Sequence, residues 1–129
     1  MSVRRLLVLF GQAGRGGFNE AAVQGAARAA RAGHALQVEW IADNAPDARA
    51  ERLAALCADT PDLVIVHGGQ GDAPVARVAP RFPHTQFAIT QGSHHAANVA
   101  SYEILQEHTA FLAGVLVGLR GGAAHLSGE

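Results

Sequence analysis

The stretch Pro61-Asp62-Leu63-Val64-Ile65-Val66-His67-Gly68-Gly69 joins four consecutive apolar residues to a glycine turn. An apolar run without a polar break predicts a strand that is buried on both faces. The segment Leu6-Leu7-Val8-Leu9-Phe10, closed by Gly11, repeats this pattern near the start of the chain. Strands of this kind are typical of parallel sheets covered by helices on both sides, so the two segments predict an α/β fold.

Outward from these two strands, predicted strands and helices alternate along the chain. Asn19 is the predicted N-cap of the first helix, which would end at Gly33. We predict further strands over residues 36–41, 86–90 and 98–102, helices over about 20–32, 48–58 and 104–119, a short helix after Gly71, and a sixth strand beginning at 123–127. Right-handed crossovers then give a three-layer, doubly wound parallel sheet with the strand order 2-1-3-4-5.

The composition limits the classes of protein that the chain can belong to. Its 129 residues correspond to one domain, and 49% apolar with 16% charged residues argues against disorder. The formal net charge of -1 argues against a general nucleic-acid binder. All ten basic residues are arginines, which excludes lysine Schiff-base chemistry and a P-loop lysine. Cys57 is the single cysteine, lies in an apolar helical stripe and is predicted to be an inert core residue.

Membrane insertion and export signals are not predicted from this sequence. The apolar run at residues 6–10 is shorter than the core of a signal peptide. The longest apolar helical segment, residues 111–119, is far shorter than the roughly 20 residues that span a bilayer. We therefore expect a cytoplasmic protein for the sequence as it stands, and a periplasmic one if it is an excised mature fragment.

In an open α/β sheet, ligands bind beyond the carboxyl ends of the strands, where the strand order reverses. The loops expected at that edge cover residues 11–18, 43–46, 68–72 and 91–95. Phe18 is either a stacking platform for a flat ligand or a hydrophobic staple onto the helix that follows. The glycine loop before Phe18 lacks the P-loop residues and places Asn19 where a dinucleotide fingerprint has its third glycine. A carboxylate or phosphate at the helix N-terminus remains possible.

Three histidines, His67, His94 and His95, are predicted at the same edge. They suggest either a zinc site with one open position or histidines that are solvated or hydrogen-bonded. No carboxylate is spaced with them, so the second interpretation is preferred. Asp72 is predicted as a helix N-cap rather than a general base. We expect no catalytic residues, no metal and no cofactor.

The order of these segments resembles the BMP family (basic membrane protein, or PnrA-like) of ABC-transporter substrate-binding proteins. The resemblance covers most of the chain and is carried by Gly17-Phe18-Asn19, by residues 61–69, by Val78-Ala79-Pro80-Arg81-Phe82-Pro83 with residues 84–92, by Asn98-Val99-Ala100-Ser101, and by Phe111-Leu112-Ala113-Gly114-Val115-Leu116-Val117-Gly118.

This resemblance implies a lobe of the type I periplasmic-binding-protein fold, in which two α/β lobes close on a ligand. Characterised members bind purine nucleosides. By position in the motif, Phe18 would stack on a base beside Asn19 and Gly17, and Gly68 and Gly69 would form the glycine turn after the third strand. The implied partners are a small-molecule ligand and the membrane subunits of an ABC transporter.

The sequence departs from the family pattern at three positions. Arg15 stands where the family usually has an aspartate three residues before the phenylalanine, and Gln91 stands where it has an aspartate before a glycine. The usual glutamate before the Phe-Leu-Ala-Gly segment is replaced by His108 or displaced to Gln106 or Glu107. Arg15 could favour an anionic ligand or a base without its sugar.

These expectations combine into a non-enzymatic ligand-binding lobe for a nucleoside or nucleobase, with residues 1–129 as a single domain. A two-lobed family member needs more than twice this length, so the chain is either a fragment or a one-lobed relative. The alternatives are a flavodoxin-like nucleotide-binding regulator or enzyme, and a subunit that has lost its ligand and serves assembly. The helix at 111–119 is apolar nearly all round and must be buried on more than one side, and we expect one side to pack on the sheet of this domain. We also expect a homodimer that buries part of this helix or the edge beside 123–127.

Overall fold

The computed structural model describes residues 4–11 and 17–121, without the side chains of Phe10 and Phe18. Strands and helices alternate over most of this part of the chain. They are β1 (Arg5–Phe10), α1 (Gly17–Arg31), β2 (Ala35–Trp40), α2 (Pro46–Cys57), β3 (Leu63–His67), α3 (Asp72–Val78), β4 (Gln86–Thr90), β5 (Val99–Tyr102) and α4 (Gln106–Arg120), with 3₁₀ turns at Gly69–Gly71 and Ala79–Arg81.

The strands of the described residues form one parallel sheet in the order β2-β1-β3-β4-β5. The predicted fold class and strand order are confirmed. β1 pairs with β2 on one side and with β3 on the other, so the chain changes direction across the sheet at β1 and β3. This is the arrangement that opens a crevice at the carboxyl ends of the strands.

Most of the apolar core lies between the sheet and helices α2 and α3. Alternate residues of the strands face that side, in keeping with the two-residue period of a strand. This core contains Leu7, Leu9, Leu53, Leu56, Cys57, Val64, Val66, Val75, Val78, Phe87, Ile89 and Val99. On the other side, which we call the α1 side, the buried cluster is much smaller and consists of Val8 and Ala26 with Ala22, Leu36 and Ile65 packed against them.

The prediction for Cys57 is confirmed. The residue is fully buried on α2, within the larger core. Burial raises the pKa of the thiol to about 11, although the nearby Arg81 opposes that shift. The thiol therefore stays protonated and shielded at neutral pH, as expected for a structural cysteine.

The predicted start of the first helix differs from the structure. Helix α1 begins at Gly17, so Asn19 lies inside its first turn and is not the N-cap that we predicted. An N-cap preference amounts to only about 1 kcal/mol, and packing of the helix decides where it begins. The predicted sixth strand at 123–127 lies outside the described residues.

The apolar helix α4 was predicted to pack one side on its own sheet, and this prediction is wrong. No residue of α4 is buried, and Phe111, Leu112, Leu116 and Leu119 are all more than half exposed. Residues 103–105 join β5 to α4. In the part of the chain that the structure describes, no helix is long and apolar enough to cross a membrane.

Asp72 fastens the loop after β4 to the start of α3. The N-cap of α3 is Gly71, and Asp72 is the first helical residue, so the predicted capping role of Asp72 is wrong. Its carboxylate instead accepts hydrogen bonds from the backbone N–H and hydroxyl of Ser93, both at 2.9 Å, and from the N–H of His94 at 3.3 Å. Partial burial would raise the pKa of Asp72, but the bonds from Ser93 and His94 outweigh it and hold the pKa below the ordinary 3.8.

We predict that Asp72→Ala lowers the free energy of unfolding by about 1 kcal/mol at pH 7, the modest value expected for charge-assisted bonds near solvent. Because the pKa of Asp72 is lower in the folded state than in the unfolded chain, the ionised carboxylate stabilises the fold. This contribution is fully present well above pH 3.8 and is lost as the pH falls below that value. The loss caused by Asp72→Ala should therefore shrink below pH 3.8 in urea unfolding.

The matched control is Glu51→Ala, at an exposed position of α2, which should change the stability by less than about 0.5 kcal/mol. A loss in Asp72→Ala that stays constant from pH 7 to pH 3 would show that the charged carboxylate does not hold this loop.

Candidate functional site

Four connections begin at the carboxyl edge of the sheet, because its strands are parallel. They follow β1 at Gly11, β2 at Ile41, β3 at Gly68 and β4 at Gln91. Because β1 and β3 are neighbours whose onward connections run to opposite sides, the loops after them flank the crevice where ligands bind in such sheets.

The glycine turn after β3 is shaped by contacts that a side chain would block. Gly68 has φ 111°, and a Cβ built on it would lie 2.7 Å from Oε1 of Gln70. A Cβ on Gly69 would lie 2.6 Å from the carbonyl oxygen of Gln91. The N–H of Gly68 donates to the carbonyl and to the hydroxyl of Thr90, both at 3.1 Å. The structure thus brings Gly68, Gly69 and Gln91 together, as the sequence predicted.

Gln91 uses its polar groups within the chain. It has φ 57°, and its N–H donates to the carbonyl of Tyr102 at 2.5 Å. Its side-chain Oε1 accepts the N–H of Ile104 at 2.7 Å. Gln91 therefore holds the segment that leaves β5, and the side-chain oxygen at the position of the family's aspartate already has a backbone partner.

The start of α1 places Gly17, Phe18 and Asn19 at the same edge, in the first turn of the helix. Asn19 is partly buried and has a hydrogen-bonding or electrostatic partner. Arg15 lies outside the described residues, and so does the side chain of Phe18. Their predicted roles in ligand binding stay predictions.

The three histidines have separate surroundings. His67 is buried, and its Nδ1 lies 2.8 Å from the hydroxyl of Thr90. The backbone of His94 joins the loop that Asp72 and Ser101 hold, and His95 is exposed. Within residues 4–11 and 17–121, no three His, Cys, Asp or Glu side chains come together in a group that could hold a metal ion.

Two further residues at this edge were missed by sequence reasoning. Arg49 is only 6% exposed, although it lies in the first turns of α2. Its Nε donates to the carbonyl of Asp43 at 2.7 Å and its Nη2 to Oδ1 of Asn44 at 2.8 Å, so it fastens the loop after β2. Nothing in the local pattern marks this arginine, because only the tertiary fold closes the loop over it.

Gln70 is the second missed residue. Its exposed side chain lies across the backbone of Gly11 and Gly68, and a Cβ on either glycine would collide with it. The side-chain amide therefore sits directly over the carboxyl ends of β1 and β3. Beneath it, a cavity of about 10 Å³, room for about one water, is lined by Leu9, Gly11, Ile41, Arg49, Leu53, Val66, Gln70, Gly71 and Pro74. The signal that could have found Gln70 is its position between the glycines of the turn.

Solved structures of solute-binding proteins are similar to this chain. An ABC-transporter solute-binding protein from Aeropyrum pernix K1 is 31% identical, with a TM-score of 0.74 over 87% of this chain and 31% of its own. One from Conexibacter woesei DSM 14684 is 24% identical, with a TM-score of 0.63 over 79% of this chain and 35% of its own. This chain thus spans about a third of the length of these two proteins.

A third structure, a fragment described as a lipoprotein from Peptoclostridium difficile 630, shares the fold over its whole length. It is 22% identical, with a TM-score of 0.58 over 92% of this chain. A comparison with curated proteins found no match.

The family model described as ABC transporter substrate-binding protein PnrA-like matches residues 7–124, nearly the whole chain. Strands β2 to β5, most of β1, the glycine turn after β3 and the first turn of α1 fall within that match. The chain belongs to the PnrA-like family of ABC-transporter substrate-binding proteins.

Proposed function

We propose that this chain is a ligand-binding lobe that holds a nucleobase or nucleoside at the carboxyl edge of its sheet and presents it to the membrane subunits of an ABC transporter. The observation that carries the proposal is that the strand order reverses at β1 and β3, which puts the β3 glycine turn and the start of α1 at the same edge of the sheet. This role belongs on the outer side of the cytoplasmic membrane, in the periplasm where there is one.

The chemistry of the edge supports a neutral, flat ligand. The exposed amide of Gln70 offers one donor and one acceptor group over the crevice, and such a pair complements the edge of a nucleobase. Phe18 in the first turn of α1 would supply the stacking surface. The groups that the described loops offer here bind and orient a ligand, and the proposal includes no chemical step.

We expect this chain to bind the ribose of a nucleoside less strongly than its base. A diol donates hydrogen bonds best to a carboxylate, and Gln91 stands where the family usually has an aspartate. The Oε1 of Gln91 already accepts the N–H of Ile104 at 2.7 Å. We therefore assign the binding energy mainly to the base.

We further propose that the chain forms a homodimer in which α4 is covered. Phe111, Leu112, Val115, Leu116 and Leu119 are 42–82% exposed on this helix. A row of large apolar side chains on one helix is typical of an interface. The other surface that we considered, the edge beside residues 123–127, lies outside the described residues.

We expect Phe18→Ala to abolish binding of hypoxanthine and inosine and to change the free energy of unfolding little. The reason is that an aromatic platform contributes to the free energy of ligand binding and not to the packing of the core. Titrations followed by NMR measure the dissociation constant into the millimolar range. The control is Phe82→Ala, in the turn before β4, where Phe82 packs against the core far from the carboxyl edge. This variant should lose stability and keep its affinity in the folded fraction. Unchanged affinity in a folded Phe18→Ala protein would exclude the stacking role.

We also expect hypoxanthine to bind within about tenfold of inosine, a difference of at most roughly 1.4 kcal/mol. The reason is that Gln91 offers no free carboxylate to the ribose. The matched variant is Gln91→Glu, which keeps an acceptor for Ile104 and adds a second, charged oxygen. It should shift the preference towards inosine. A hundredfold preference of the wild type for inosine would mean that the lobe grips the sugar through other residues.

A further inference from the structure

Arg49 carries a buried positive charge that no carboxylate of the described residues offsets. The residue is only 6% exposed, and its Nε and Nη2 donate to neutral acceptors, the carbonyl of Asp43 and Oδ1 of Asn44. All acidic residues of the chain except Glu129 lie among the described residues, and none of their carboxylate oxygens lies within 4.0 Å of the guanidinium. A buried charge without an ionic partner is costly, so Arg49 favours one more acceptor.

The remaining guanidinium nitrogen of Arg49, Nη1, lies at the carboxyl end of β1. It is 3.8 Å from the position that a Cβ would take on Gly11. Within residues 4–11 and 17–121, no hydrogen bond uses this nitrogen. Arg49 and Gly11 also line the cavity of about 10 Å³ beneath Gln70, which has room for about one water. A space of this size accepts a single oxygen atom of a small ligand and excludes a segment of protein.

The side-chain amide of Gln70 brings a second donor to the same point. A Cβ on Gly11 would collide with Nε2 of Gln70, whereas Oε1 lies 2.7 Å from the Cβ position of Gly68. The amide therefore has its donor end over β1 and its acceptor end over β3. A glutamine amide alone pairs with either a carbonyl or an amino group of a ligand. The cation beside it distinguishes the two, because it attracts an oxygen and repels an amino group.

We propose that Arg49 and Gln70 form a subsite for a ring carbonyl oxygen, so that the lobe selects 6-oxopurines such as hypoxanthine over 6-aminopurines such as adenine. The oxygen accepts hydrogen bonds from Nη1 of Arg49 and Nε2 of Gln70 at the end of β1. The neighbouring ring N–H donates to Oε1 of Gln70, over Gly68. This inference rests on the proposed function and adds the class of base that the lobe binds.

The test measures dissociation constants of the 129-residue chain by NMR titration with hypoxanthine, adenine and benzoate, and its stability by urea unfolding. Benzoate is flat and anionic, and it represents a ligand that brings a carboxylate to the same donors. Gln70→Glu places a carboxylate beside Arg49 within the chain itself. The matched control is Gln86→Glu, which makes the same change of charge at an exposed position at the opposite end of the sheet.

A second pair of variants separates the subsite from the loop after β2. Arg49→Met removes the cation but also releases this loop. Asn44→Ala removes one bond of the same loop and keeps the guanidinium. Comparing the two variants isolates the effect of the charge, and Gln70→Glu decides the outcome if Arg49→Met does not fold.

The wild type should bind hypoxanthine at least about tenfold more tightly than adenine, because an amino group leaves the donors of the subsite without a partner. Gln70→Glu should weaken the binding of hypoxanthine by at least about tenfold and raise the urea midpoint, because its carboxylate pairs with Arg49. Arg49→Met should reduce the preference for hypoxanthine to less than about threefold. Gln86→Glu and Asn44→Ala should keep the preference of the wild type.

Equal affinity of the wild type for hypoxanthine and adenine would overturn the subsite and leave the proposed function standing. No binding of either base in the millimolar range would overturn the proposed function as well. Tighter binding of benzoate than of hypoxanthine would assign the donors to a carboxylate ligand and overturn the selection of a base. A urea midpoint of Gln70→Glu no higher than those of the wild type and Gln86→Glu would show that Arg49 takes no further acceptor, and would overturn the subsite.

Discussion

Parallel pairing of β1 with both β2 and β3 is the constraint on which the rest of this lobe depends. Parallel strands bring all their carboxyl ends to one edge, and the reversal of strand order at β1 and β3 keeps the loops there from closing over one another. The glycine turn after β3, the first turn of α1 and the loop after β4 therefore lie at one edge of the sheet. The candidate site follows from the order of the strands and needs no special loop fold of its own.

The loops at this edge are held by single polar side chains. Asp72 holds the loop after β4, Arg49 the loop after β2, and Gln91 the segment that leaves β5. At the opposite edge, Asn98 donates to the carbonyls of Ala79, Phe82 and Thr85. In each case a side chain forms hydrogen bonds with backbone groups that lie outside the sheet. Leaving a buried backbone amide or carbonyl without a partner would destabilise the fold. The crevice is therefore preorganised by residues that need not touch a ligand.

The two sides of the sheet differ in how densely helices pack against them. Helices α2 and α3 complete a dense core with Leu53, Phe87 and Ile89. In the described residues, the α1 side has α1 and a small buried cluster of Val8 and Ala26. Within that part of the chain the α1 side is therefore the less densely packed side of the sheet. This asymmetry agrees with the greater length of the two similar solute-binding proteins, of which this chain covers about a third.

The local sequence pattern was enough to identify the strands, their order and the family. Apolar runs such as 63–66 are typical of buried strands, and glycine turns such as 67–69 mark where they end. The right-handedness of crossovers between parallel strands then limits the order of the strands. The same information placed Gly68, Gly69 and Gln91 at one edge, since parallel strands leave no other choice. The local pattern did not predict the role of Arg49, because the loop after β2 covers this residue only in the folded structure. It did not predict the hydrogen-bond partners of Asp72 either, because they are distant from it in the sequence. It also gave the wrong packing for α4. An apolar sequence indicates that a helix must be covered, but it does not specify the covering surface, which depends on the tertiary path of the chain; in the structure no residue of α4 is buried.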